Sequence, residues 1–151
     1  MAVLYEYPIT VEWQGGLKGS GCLQLKNSPK GLPLSVPTEF KGLGEGTNPE
    51  ELLVSAIASC YTITLGILAT YRQLPIKNIR TEARGRVVQT GAHLEFNRVV
   101  LLPHIMVDAS ASEEQIQAIE EVASRAEKHC MITNAVRGSV EIKLEPTIVK
   151  L

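Results

Sequence analysis

The chain has no surplus of charge of either sign. Fifteen Lys and Arg face sixteen Asp and Glu in 151 residues, for a formal net charge of -1. Without a basic excess there is little to attract a phosphate backbone or an anionic lipid surface, so no nucleic acid and no membrane are expected as partners. Aromatic residues are scarce, at 5%, which argues against a base-stacking surface. Cysteines number only three, at positions 22, 60 and 130. An odd count with wide spacing does not describe a disulfide scaffold. The opening, MAVLYEYPITVEW, lacks a positive n-region, an apolar h-region and a small-residue cleavage site. No secretory or transit peptide is expected, and the thiols are read as those of a reduced, cytoplasmic protein. Repeats, linkers and low-complexity tracts are also missing. No Gly-rich loop follows a strand to cradle a dinucleotide, and no CxxC or HxxxH spacing supports a metal, so neither a metal nor a bound cofactor is expected.

The composition that remains is globular, with 44% apolar and 21% charged residues. At this length a chain buries about 70% of its unfolded surface, enough for one core and one domain over residues 1–151. Residues 1–37 read as strands broken by Gly15-Gly16 and Gly19-Ser20-Gly21. Pro33 and Pro37 confine the last of them to an edge or a short length. Residues 38–47 form a Gly-rich loop. Asn48, Pro49 and Glu51 then make a helix start, with Asn48 as N-cap, Pro49 at N1 and Glu51 completing a capping box.

Residues 52–71, LLVSAIASCYTITLGILATY, carry no charge. Twenty such residues could span a bilayer. Five Ser or Thr, one Cys and Gly66 dilute the stretch, however, and no Lys/Arg cluster fixes an orientation. A helix apolar on every face fits better at the centre of a core or of an obligate interface. Arg72 and Pro75 mark its end. Residues 77–91 and 93–108 read as two long strands around a turn at Thr90-Gly91-Ala92. In the first, Arg80, Glu82, Arg84 and Arg86 share one face, which reads as solvated rather than as a phosphate site. Ser112 and Gln115 cap a second helix. Its stripe of Ile116, Ile119, Val122, Ala123 and Ala126 extends by four residues to Cys130, which places that cysteine on the buried side. Residues 138–144 close the chain as a strand. The fold class is α+β, with two main helices.

Two cysteines on the buried sides of two helices would ordinarily be small core residues. Their contexts suggest more. EGTNPEELLVSAIASCY and AEKHCMITNAVRGSVEI resemble the two cysteine motifs of the osmotically inducible protein C and organic hydroperoxide resistance (OsmC/Ohr) family, in the family's order and over essentially the whole chain. The resemblance implies a strongly bent antiparallel sheet with two main helices, completed by an intertwined homodimer. It implies a thiol peroxidase acting on organic hydroperoxides. In that reading Cys60 is the peroxidatic cysteine, Cys130 the resolving one, and Glu50 the active-site glutamate. The expected reductant is an external dihydrolipoyl dithiol.

The residues make chemical sense of that expectation. A thiolate attacks the O–O bond, an alcohol leaves, and the sulfenic acid condenses with a second thiol. Glu50 lies ten residues before Cys60, about 15 Å along a straight helix. To act at the site it would therefore come from the partner subunit. The chain departs from the family where the thiolate is normally activated. Leu17 and Lys18 follow the paired glycines where the peroxide-resistance branch has an arginine, and Glu39, Phe40 and Lys41 stand where the OsmC branch has its own. Lys18 is the first candidate cation and Lys41 the second, although an ammonium does not reproduce the arginine fork. Met131 replaces a proline that often follows the second cysteine. Cys22 reads as structural. A redox-sensing or hydrophobic-ligand-binding protein with slow turnover is the alternative that the missing arginine favours, and a membrane-anchored protein built on residues 52–71 is a third.

Overall fold

The computed structural model describes residues 1–151 and falls into two compact units, residues 1–52 and 53–151. The first unit is a three-stranded antiparallel sheet, β1 (Ile9–Gln14), β2 (Ser20–Leu25) and β3 (Gly31–Ser35), in the order β1-β2-β3. The register puts Ile9 opposite Leu25, Val11 opposite Leu23 and Trp13 opposite Gly21, so one face is apolar. The other face carries Thr10, Glu12 and Gln14 against Gln24, Cys22 and Ser20. The apolar face is nonetheless open in the single chain: Ile9 and Val11 are 52% and 53% exposed. A short 3-10 turn, Thr38–Phe40, follows β3.

Helix α1 (Pro49–Tyr71) begins as the sequence predicts, with one difference. Asn48 Oδ1 accepts the Glu51 N–H at 2.9 Å, but the Glu51 carboxylate takes the Thr47 hydroxyl at 2.8 Å. The reciprocal half of the capping box is therefore replaced by a bond one residue earlier. The helix ends at Tyr71, and Gln73, with a φ of 53°, turns the chain left-handed just beyond it.

The second unit continues α1 and adds β4 (Ile76–Thr90), β5 (His93–Val107), α2 (Glu113–His129), α3 (Met131–Val136), β6 (Glu141–Leu144) and β7 (Thr147–Lys150). β4 and β5 form the long antiparallel hairpin that the alternating pattern predicts, with Gly91 at φ 62° in the turn. The closing strand differs from expectation. It starts at Glu141, is followed by a second strand, and both β6 and β7 pair with β5 in parallel. Antiparallel order thus holds only for the first sheet and for the β4–β5 hairpin.

The core lies between β5, α1 and α2. Every second residue of β5 from Val99 to Val107 is buried, against Ile57, Tyr61 and Leu65 of α1 and Ile119, Val122, Ala123 and Ala126 of α2. On α1 the buried residues are Ile57, Tyr61, Leu65 and Ala69, four apart, which is one stripe of a helix. α1 is long and apolar enough to cross a membrane, yet this stripe packs on protein. α1 approaches β4 closely at Gly85, where a Cβ would strike the Val54 side chain and the Phe96 ring. The Ser112–Gln115 capping box of α2 is complete in both directions.

Tyr61 ties the two helices together. Its hydroxyl donates to the Ala123 carbonyl of α2 at 3.0 Å within the core. Burial, reinforced by Glu127, pushes the phenol well above its usual pKa, so it stays a neutral donor. Tyr61→Phe is expected to cost about 1 kcal/mol, the usual net value of such a bond, as a lower midpoint in urea with an unchanged slope. No change in stability would mean that the bond contributes nothing.

Candidate active site around Cys60 and Cys130

Cys60 lies on α1 directly before Tyr61 and is half-buried. Its place follows from the helix: Tyr61 holds the buried stripe, so its neighbour falls on the flank. Cys130 lies at the end of α2, fully buried, as the extension of the Ile119–Ala126 stripe predicts. It serves a second element as well. Its Sγ accepts the Thr133 N–H at 3.4 Å and so caps the short helix α3, which the sequence reading did not anticipate.

The fold brings the two cysteines together. Their thiols are free, and Cys130 lies close enough to Cys60 for the two to be coupled. Burial pushes the Cys130 thiol up in pKa, and the neighbouring Cys60 pushes it further; the Thr133 hydroxyl and N–H act in the opposite direction. Burial thus favours Cys130 as a protonated thiol.

A polar bracket closes around Cys130. Arg137 Nη2 meets Glu127 Oε1 at 2.7 Å, and its Nε donates to Asn134 Oδ1 at 3.0 Å. Asn134 Nδ2 in turn donates to the Lys128 carbonyl at 3.0 Å. These bonds staple the residues before the cysteine to those after it. Within the bracket the Thr133 hydroxyl is buried and has no partner of good hydrogen-bond geometry. Met131, in the position of the family proline, is exposed.

The other predicted residues stand as follows. Glu50 is in the first turn of α1, half-buried, with Oε2 buried and unpartnered. Lys18 is exposed in the turn between β1 and β2, and Lys41 is exposed at the end of the 3-10 turn with φ 64°. Cys22 is half-buried on the polar face of β2, where its thiol points to the Leu23 carbonyl at 3.7 Å. No group of three His, Cys, Asp or Glu side chains is arranged to hold a metal ion.

Thr133, Asn134 and Arg137 escaped the sequence reading. A signal for Thr133 existed: a small polar residue three places after a cysteine has the spacing of an N-cap and its N3 partner.

The OsmC-like protein family matches residues 42–145. The chain belongs to that family. The match covers α1 with Cys60 and the α2–α3 junction with Cys130. The uncharacterized protein YmaD of Bacillus subtilis is 29% identical over 144 residues, covering 95% of each chain. Peroxiredoxin OsmC of Escherichia coli is 24% identical over 135 residues, 86% of this chain and 89% of its own. Among solved structures, the organic hydroperoxide resistance protein OsmC of Legionella pneumophila superposes with a TM-score of 0.76 at 23% identity, covering 97% of this chain and 99% of that one. The α+β fold is that of OsmC/Ohr proteins.

Proposed function

We propose that this OsmC-like protein is a thiol peroxidase that reduces organic hydroperoxides to alcohols through a Cys60–Cys130 disulfide cycle. The observation that carries the reading is the meeting of a half-buried Cys60, midway along the apolar helix α1, with a fully buried Cys130 at the end of α2, both reduced. The Cys60 thiolate attacks the distal oxygen of the hydroperoxide. The O–O bond breaks, the alkoxide takes a proton and leaves as alcohol, and Cys60 becomes a sulfenic acid. Cys130 displaces its hydroxyl as water, closing the disulfide. An external dithiol, of the dihydrolipoyl type, restores both thiols, and no bound cofactor takes part. The apolar residues around Cys60 suit an organic hydroperoxide better than hydrogen peroxide.

The working form in this reading is a homodimer in the cytoplasm. Support comes from the surfaces a single chain leaves open. One face of the first sheet is apolar and exposed, and α1 presents Ile63, Ile67 and Tyr71 at 62%, 49% and 82% exposure. A second copy would cover them and bring its own Glu50, ten residues too far along α1 to serve the Cys60 of the same chain.

Steady-state turnover of cumene hydroperoxide with dihydrolipoamide tests the activity, and consumption at the rate of the uncatalysed mixture would refute it. Lys18 is the proposed activating cation, oriented by the partner's Glu50. Lys18→Ala is expected to slow the reaction of Cys60 with hydroperoxide about tenfold, as loss of an ammonium within about 4–6 Å would, with the dimer intact. Equal rates in stopped-flow assays would make Lys18 a plain surface residue. A second reading, a redox sensor or hydrophobic-ligand binder with slow turnover, is favoured by one observation: Leu17 stands where an activating arginine is expected.

A further inference from the structure

The mechanism leaves one buried polar group unused, the hydroxyl of Thr133. It is fully enclosed, without a hydrogen-bond partner of good geometry, beside the Cys130 sulfur that the same residue's N–H already contacts at 3.4 Å. A buried hydroxyl with nothing to bond costs stability unless another state of the protein uses it. The thiol of Cys130 is a weak acceptor, whereas its thiolate is a strong one. The group that would satisfy Thr133 therefore exists only when Cys130 is ionised.

We propose that Thr133, through its N–H and its hydroxyl together, stabilises Cys130 as the departing thiolate when the Cys60–Cys130 disulfide is reduced. The proposal rests on the disulfide cycle described above and adds the direction of its reductive half. Cys130 is inaccessible while Cys60 is half-exposed, so a donor dithiol attacks the Cys60 sulfur. The Sγ–Sγ bond breaks and its electron pair stays on Cys130. The donor is joined to Cys60 as a mixed disulfide. Its second thiol then displaces Cys60, giving the cyclic donor disulfide and a second thiolate. The two protons released by the donor are those the two protein thiols regain. A leaving sulfur held as thiolate departs faster. Burial alone would make Cys130 a poor leaving group, and Thr133 is the group that opposes it.

The test uses the full-length protein oxidised with diamide, so that disulfide formation does not depend on peroxide chemistry. Reduction by dithiothreitol is followed by quenched mass spectrometry. Thr133→Val keeps the shape and the N–H but removes the hydroxyl. It is expected to slow reduction about tenfold, the worth of one hydrogen bond to a charged group. Thr133→Ser restores the hydroxyl and is expected to react within about twofold of wild type on the same ground. Wild-type reduction rates in Thr133→Val would overturn the proposal, and so would equal slowing in the Ser variant, which would mark a packing role. Failure of diamide to join Cys60 to Cys130 would overturn it too. If diamide joins them but hydroperoxide does not, the peroxidase reading fails while the Thr133 result stands.

Discussion

Cys60→Ser is expected to consume no hydroperoxide at all, whereas Cys130→Ser should react once and stop. The contrast follows from position. Cys60 is the accessible sulfur of the pair, and Cys130 holds its proton in a sealed site. Without Cys60 the peroxide meets no available thiolate near the apolar helix. Without Cys130 the sulfenic acid has no neighbour to condense with and advances to sulfinic acid under excess peroxide. Mass spectrometry should find the added oxygens on Cys60 alone. Cys22→Ser should turn over like wild type, because Cys22 stands on the polar face of a sheet in the other unit and only its neighbouring carbonyl engages it. Residual turnover in Cys60→Ser would reassign the nucleophile.

The double variant Ile63→Arg/Ile67→Arg is expected to split the proposed dimer and abolish the proposed peroxidase turnover. Both residues are exposed on the single chain, on the face of α1 opposite Ile57, Tyr61 and Leu65. The variant should therefore still fold. A two-fold interface doubles each substitution. Burial of an Ile side chain contributes about 1.5–3 kcal/mol, so dissociation should strengthen by three orders of magnitude or more at about 1.4 kcal/mol per tenfold. Light scattering should show a monomer with unchanged circular dichroism. Loss of activity in that monomer would support a site completed by the second chain. A fully active monomer would remove the shared-site reading, including the role of the partner's Glu50.

What could be read from the sequence was what local spacing dictates. The α2 stripe led to a buried Cys130 because a helix repeats its face every three to four residues. The Ser112–Gln115 box and the β4–β5 hairpin are equally local. The Asn48 cap was legible too, but Glu51 had two acceptable donors, and sequence alone does not choose between the Asn48 N–H and the Thr47 hydroxyl. Residues 138–150 were harder. β6 and β7 have four residues each, and Pro146 stands between them. Their parallel pairing to β5 depends on contacts about 43 residues away in the chain. Helix α3 was missed because it spans only six residues and opens on a cysteine, an uncommon cap. The meeting of Cys60 with Cys130 was anticipated only from the family resemblance, since seventy residues separate them and no periodicity spans that interval.

Cys60 and Cys130 form the redox pair of the proposed cycle. Intact-mass and peptide-mapping spectra of the wild-type protein after one equivalent of cumene hydroperoxide test that pairing. The expected product has lost two hydrogens, with the Cys60 and Cys130 peptides joined and Cys22 still reducible-thiol reactive. A disulfide containing Cys22, or a chain left wholly reduced, would contradict it.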